Sequence, residues 1–184
     1  MDHVGIGAAI QLGFSFGGMI AQDFARRRPQ RTLALIAYGC VPIFLTPTPM
    51  RPLLWAAMRL QLSLQPWSRF VETFVQQASH DQSLQRELAA SMSVQSPTLR
   101  DAIWEAMLFG ASNEPDFQFS CPAGHIMGER DDRFPGAHAA MKAFVGRMPK
   151  GHAVEIPSAG HMAHRETPEA FNQALLALIE RLKS

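Results

Sequence analysis

Ser15 stands between glycines in Gly13-Phe14-Ser15-Phe16-Gly17, with a further glycine at position 18. A serine hydroxyl keeps its proton at neutral pH. It attacks a carbonyl only with a base in hydrogen-bond reach and a third group to orient that base. The G-x-S-x-G spacing suits such a serine, because a turn sharp enough to lift its side chain off a strand end leaves no room for bulk. A helix starting behind it aims free backbone amides at developing negative charge. Alone the pattern is weak, since glycine and serine are common residues. An apolar run before it and a helical pattern after it supply the context.

Two further stretches carry groups of the required kind. "MGERDD", residues 127–132, places acidic residues just beyond a predicted strand end, where a carboxylate can orient an imidazole. Taken alone it is a solvated polar turn. "PSAGHMAHRETPEAF", residues 157–171, sets a histidine directly after a glycine in the loop before the last helix. Taken alone it is a surface histidine. The chain order serine, acid, histidine raises all three together, because strand-turn-helix serine hydrolases use that order.

The elements that must position these groups follow from the hydrophobic pattern. The run "AAIQL", from Ala8 to Leu12, suits a buried strand ending at a glycine. Residues 16–28 are helical in pattern and closed by Pro29. "TLALIAY", residues 32–38, is a second buried strand, ended by Gly39. Strand, helix, strand at this spacing is the rhythm of a parallel α/β unit. From 46 to 112 the rhythm changes. Prolines at 47, 49 and 52 precede the helical stretches "LLWAAMRLQL", "SRFVETFVQQA" and "SPTLRDAIWEAMLFG". Trp55, Trp67 and Trp104 all lie in this segment. It reads as an inserted helical layer, either burying aromatics against the main body or forming a lid that lines an apolar pocket. Both can hold at once. The α/β rhythm then resumes with a strand at 122–127 ended by Gly128, a helix at 135–148 and the strand "HAVEI" at 152–156. A closing amphipathic helix, 166–182, puts Leu175, Leu178, Ile179 and Leu182 on one face. Thr167-Pro168-Glu169 marks its entry.

Composition narrows the classes. The 184 residues can bury a real core, with 47% apolar and 18% charged residues. A net charge of +1 makes no case for nucleic acid or an anionic membrane surface. The basic run Arg26-Arg27-Arg28 complements a helix C-terminus. Cys40 and Cys121 are too few and too far apart for a disulfide framework or zinc site, and read as buried thiols of a reducing compartment. No leader pattern and no apolar run of bilayer length stands out, so the expected location is cytoplasmic.

The chain resembles the C-terminal two-thirds of an α/β-hydrolase of the lidded type that includes esterases, enol-lactonases, carbon-carbon bond hydrolases and cofactor-free haloperoxidases. The likeness rests on "GFSFGGMIAQDFARRRPQRTLALI", "PAGHIMGERDDRFPGAHAAMKAFVGRMP" and "VEIPSAGHMAHRETPEAFNQALLALI". It implies a partial α/β-hydrolase fold, a parallel sheet flanked by helices with an inserted helical cap. The implied division is 1–45 for the nucleophile-bearing half of the core, 46–112 for the cap and 113–184 for the rest. By the resemblance Ser15 is the nucleophile, and the backbone amide of Phe16 an oxyanion donor. Asp131, three residues after Gly128, is the orienting acid, and His161, directly after Gly160, is the base. Asp132 and His164 are their nearest competitors. The implied substrate is a small ester or lactone, with no cofactor and no metal, and the apolar character of the helical layer points to a hydrophobic acyl or alcohol group. A serine rather than a carboxylate at position 15 argues against the dehalogenase and epoxide-hydrolase branches.

The same resemblance implies further strands and a helix ahead of the nucleophile strand. A loop there, often with an HG-type motif, donates the second oxyanion amide. Here "MDHVGIG" reads instead as the tail of a helix and a loop, so a truncated reading frame with Met1 internal is expected. Lack of one donor would cost on the order of 100- to 1,000-fold in rate. The run from Ala8 to Leu12 would then be an open apolar edge, a place for self-association or a partner. His125, where the family has aliphatics, is expected to be a partly buried structural histidine.

Overall fold

The computed structural model describes residues 1–43, 48–109, 114, 116–131, 136–148 and 150–183. Among these, the strands β1 (Ala9–Phe14), β2 (Thr32–Tyr38), β3 (Ala123–Gly128) and β4 (Gly151–Ile156) form one parallel sheet in that order. Every residue of β3 is buried, and in β2 only Leu33 is exposed. Strands covered on both faces read as unbroken apolar runs. That is why the predicted 32–38 strand coincides with β2. β1 lies at the edge and leaves Leu12 49% exposed.

Helix α1 (Phe16–Arg27) joins β1 to β2. Helices α2 (Arg51–Ser63), α3 (Trp67–Ala78), α4 (Gln82–Ser93) and α5 (Pro97–Phe109) follow β2. α6 (Ala137–Val145) joins β3 to β4, and α7 (Ala163–Glu166) and α8 (Pro168–Lys183) follow β4. The chain divides into two compact units, Met1–Pro42 with Asp116–Ser184, and Ile43–Pro115. The predicted boundaries at 45/46 and 112/113 lie outside the described residues. No helix among the described residues is long and apolar enough to cross a membrane.

In the sheet-bearing unit, α8 buries Phe171, Leu178 and Leu182 against Ala34, Ile36, Tyr38, Ile126 and Ile156. Leu175 and Ile179 pack at the margin of the same cluster. Gly124 exists for this contact, since a Cβ there would come within 2.7 Å of the Leu178 side chain. The predicted helix at 166–182, entered at Thr167-Pro168-Glu169, is α8, and the short α7 before it is a separate helix. Pro168, with no N–H to donate to α7, starts a new helix instead of continuing it. The predicted 135–148 helix is shorter as α6, entered through Gly136 at φ 81°; residue 135 lies outside the described set. Cys40 and Cys121 are buried free thiols, and burial pushes the Cys40 pKa up to about 12. Arg26 and Arg27 both pair with Asp23 at the end of α1.

In the helical unit, Trp67 stacks on Phe70 at 5.2 Å, and the buried Arg100 guanidinium lies over both rings. Trp55 is buried and Trp104 half-buried. α4 went unread in the sequence because it buries so little, Leu84 alone. Its start is fixed by Asp81, whose carboxylate accepts the Ser83 and Leu84 N–H groups at 2.6 and 2.9 Å.

Candidate active site

Ser15 occupies the single-residue turn between β1 and α1, with φ 52° and ψ −122°. That is a strained conformation for a residue with a side chain, of the kind retained where function needs it. Its hydroxyl does not cap α1. Its N–H is held at 2.8 Å by the Tyr38 carbonyl at the end of β2. Two of the three glycines around the serine have steric causes, whereas a Cβ at Gly17 would meet nothing within 4 Å. A Cβ at Gly13 would lie 2.2 Å from the Gly17 carbonyl oxygen, and one at Gly18 2.6 Å from the Cys40 Sγ. Strand and helix therefore approach closely enough to bend the chain at Ser15. Phe16 is the first residue of α1, where backbone N–H groups have no partner within the helix.

Asp131 and His161, the expected acid and base, lie on the loops after β3 and β4. His161 Nδ1 lies 2.7 Å from Asp131 Oδ2, and both side chains are at most 3% exposed. A carboxylate this close fixes the tautomer with the proton on Nδ1, leaving Nε2 as the ring's basic nitrogen. The two loops are laced together around this bond. Arg130 N–H donates to the Ala159 carbonyl at 2.8 Å and Glu129 N–H to the Ile156 carbonyl at 3.0 Å. The Glu129 carboxylate accepts the Ser158 N–H at 2.7 Å, and the Glu166 carboxylate accepts the Gly160 N–H. At Gly128 a Cβ would lie 2.2 Å from the Gly160 carbonyl oxygen, so the glycine permits the loops to cross.

The Phe14 ring packs against the His161 ring at 4.8 Å, and a Cβ on Gly39 would lie 3.1 Å from that imidazole. The serine turn and the base loop thus share one neighbourhood at the C-terminal ends of β1 and β2. Of the competitors, Asp132 lies outside the described residues. His164 is half-buried with Nδ1 3.1 Å from the Tyr38 hydroxyl, and burial holds its pKa below the ordinary imidazole value. His125 corrects an expectation. It is fully buried, not partly, with Nδ1 3.2 Å from the Ala37 carbonyl and a pKa lowered to about 4, chiefly by burial. Its ring lies 5.7 Å from that of His138, whose Nε2 is 2.7 Å from a Glu155 carboxylate oxygen.

Three contributors escaped the sequence reading. Glu129 and Glu166 brace the base loop with carboxylates that looked like ordinary surface charge. Tyr38 looked like one more strand residue. Its hydroxyl donates to the His161 carbonyl at 2.8 Å and accepts the His164 N–H at 3.2 Å. A polar tip inside an apolar run was the one available signal. Among the described residues no group of three or more His, Cys, Asp or Glu could hold a metal ion. A polar hollow on α3, lined by Ser68, Arg69, Glu72, Thr73 and Gln76, includes none of the residues above.

Comparison with known proteins agrees with this architecture. The chain is 26% identical over 178 residues to a pimeloyl-[acyl-carrier protein] methyl ester esterase of Yersinia enterocolitica, covering 91% of this chain and 68% of that protein. It is 27% identical over 191 residues to a 2-hydroxy-6-oxononadienedioate/2-hydroxy-6-oxononatrienedioate hydrolase of Burkholderia vietnamiensis, covering 98% and 65%. A thermophilic esterase structure from Thermogutta terrifontis superposes with a TM-score of 0.74 at 23% identity, over 100% of this chain and 69% of the other. The chain therefore spans about two thirds of the length of the proteins it matches, and these are hydrolases. With residues 2–174 matched by the model of the alpha/beta hydrolase family, the chain belongs to that family.

Proposed function

We propose that this chain carries the Ser15-His161-Asp131 triad of a serine hydrolase acting on a small, apolar ester or lactone. The observation that carries the reading is the buried 2.7 Å bond between His161 Nδ1 and Asp131 Oδ2, beside a serine held at φ 52° between strand and helix. His161 Nε2 takes the Ser15 hydroxyl proton as Oγ adds to the carbonyl carbon. The Phe16 amide at the start of α1 donates to the resulting oxyanion. Collapse expels the alcohol, which leaves with the proton held by His161. Water then repeats the sequence on the acyl-enzyme and frees the acid.

The esterase among the relatives supports an acyl substrate, and the 2-hydroxy-6-oxononadienedioate/2-hydroxy-6-oxononatrienedioate hydrolase is a relative named for a different hydrolysis. The helical unit, taken by itself, exposes Leu53, Leu60, Leu64, Val94 and Leu99. A fluorophosphonate probe tests the nucleophile. It should label the folded wild-type chain at Ser15 and leave Ser15→Ala unlabelled. Folded wild-type protein that stays unlabelled would sink the triad.

A second reading is favoured by the edge position of β1, whose outer side pairs with no strand among the described residues. There the chain is one half of an assembly, with a second copy or another strand on that edge completing the sheet and supplying the second oxyanion amide. Light scattering distinguishes it, since a labelled, strictly monomeric chain excludes a second copy.

A further inference from the structure

We propose that Tyr38 is the positioning residue that sets His161 against Ser15, a role that rests on the triad reading above. The two ends of this one residue hold the two sides of the site. Its backbone carbonyl accepts the Ser15 N–H at 2.8 Å. Its hydroxyl donates to the His161 carbonyl at 2.8 Å and lies 3.2 Å from the His164 N and 3.1 Å from His164 Nδ1. With His164 as the Nδ1–H tautomer, the phenol oxygen accepts two protons and donates one, so its hydrogen-bonding capacity is filled.

The ring cannot shift to let these bonds slip. Tyr38 is 2% exposed, stacked on Phe14 at 4.7 Å and packed against Phe171 at 4.8 Å. Phe14 precedes Ser15 and also touches the His161 ring, so the packing and the hydrogen bonds register the same two groups. Burial holds the phenol pKa above its ordinary value. The hydroxyl therefore stays protonated, a donor to the backbone and not a competing base. Its reach is to a carbonyl 123 residues away in sequence, so it spans the distance that chain connectivity does not.

The test separates positioning from mere support of the fold. In Tyr38→Phe the ring and the backbone carbonyl remain and only the hydroxyl goes. Fluorophosphonate labelling of Ser15 is followed to saturation in wild type and variant. The maximal labelling rate should fall about tenfold or more while the half-saturating concentration is unchanged, since misplaced reacting groups slow the step without weakening binding. The low-field proton magnetic resonance of His161 Nδ1–H should broaden. An unchanged maximal rate with an unchanged resonance overturns the proposal. Absence of labelling in wild type, or labelling that survives Ser15→Ala, instead overturns the triad reading and the role with it.

Should Tyr38→Phe fail to fold, the sequence offers another probe, because Tyr38 is the only tyrosine of the chain. Biosynthetic 3-fluorotyrosine marks this position alone. Its fluorine resonance should move when Ser15 is phosphonylated and stay put in treated Ser15→Ala. A resonance that ignores Ser15 modification overturns the proposal.

Discussion

The two sides of the site are held very differently. Asp131 and His161 sit on loops that cross, bond to each other's backbone and bury both side chains. Ser15 sits at the end of an edge strand, with β2 on one side and Leu12 of its own strand half exposed. The Asp131-His161 side is over-determined. The Ser15 side rests on the turn glycines, the Tyr38 carbonyl and the first turn of α1, whose Gly18 N–H donates to the Ser15 carbonyl at 2.9 Å. The difference locates where the site can be broken locally and where it can be loosened from outside the sheet.

The largest effect should come from the bond that defines the braced side. Asp131→Asn keeps the shape but removes the charge that holds the proton on Nδ1, so the ring can present the wrong nitrogen to Ser15. Ser15 labelling should slow by on the order of 10⁴-fold with the fold intact. A loss under tenfold would show that Asp131 does not orient the base.

Next comes Gly128→Ala. The new methyl meets two backbone carbonyls, at 2.2 and 2.4 Å, and neither can swing away as a flexible side chain would. Denaturant unfolding should show a loss of about 3 kcal/mol or more, because overpacking is borne here by backbone. Near-neutral stability would mean that the two loops are not locked where they cross.

The third probe is acid. His125 lies in β3 beneath the braced loops, with its pKa lowered from 6.5 to about 4. Below pH 6.5 the unfolded chain takes a proton that the folded chain refuses. Its contribution is therefore complete above pH 6.5 and is lost as pH falls toward 4, by on the order of 3 kcal/mol at most. His125→Leu should flatten the stability profile over that window. An equally steep profile in the variant would assign the acid sensitivity to other groups.

The sequence made the interior strands and the serine turn easy to read, for one physical reason. Burial on both faces favours apolar residues, so β2 wrote itself as an apolar run and β3, His125 apart, nearly so, and steric contact at the turn allowed only glycine at 13 and 18. Asp131 and His161 were assigned by the family resemblance, through their spacing from Gly128 and Gly160, and the structure brings the two side chains together. Tyr38, Glu129 and Glu166 could not be picked this way, because each acts on a backbone group whose position only the folded loops define. α4 was missed because a helix that buries a single leucine leaves almost no periodic trace.

The smallest thermodynamic effect, and the sharpest test of the looser side, belongs to Leu12. It is 49% exposed on the edge strand, so Leu12→Lys removes little buried area and should change monomer stability by no more than about 0.5 kcal/mol. A lysine on an edge, however, disfavours pairing with another strand, because its ammonium would have to leave water. If the edge of β1 is used for self-association, the variant should shift the light-scattering mass toward the monomer with an unfolding midpoint close to wild type at low concentration. Ser15 labelling then tells what the edge is for. Labelling that weakens together with the loss of association ties the serine turn to a strand beyond β1, whereas full labelling by the monomer shows that Ser15 is held adequately by β2 and Tyr38 alone.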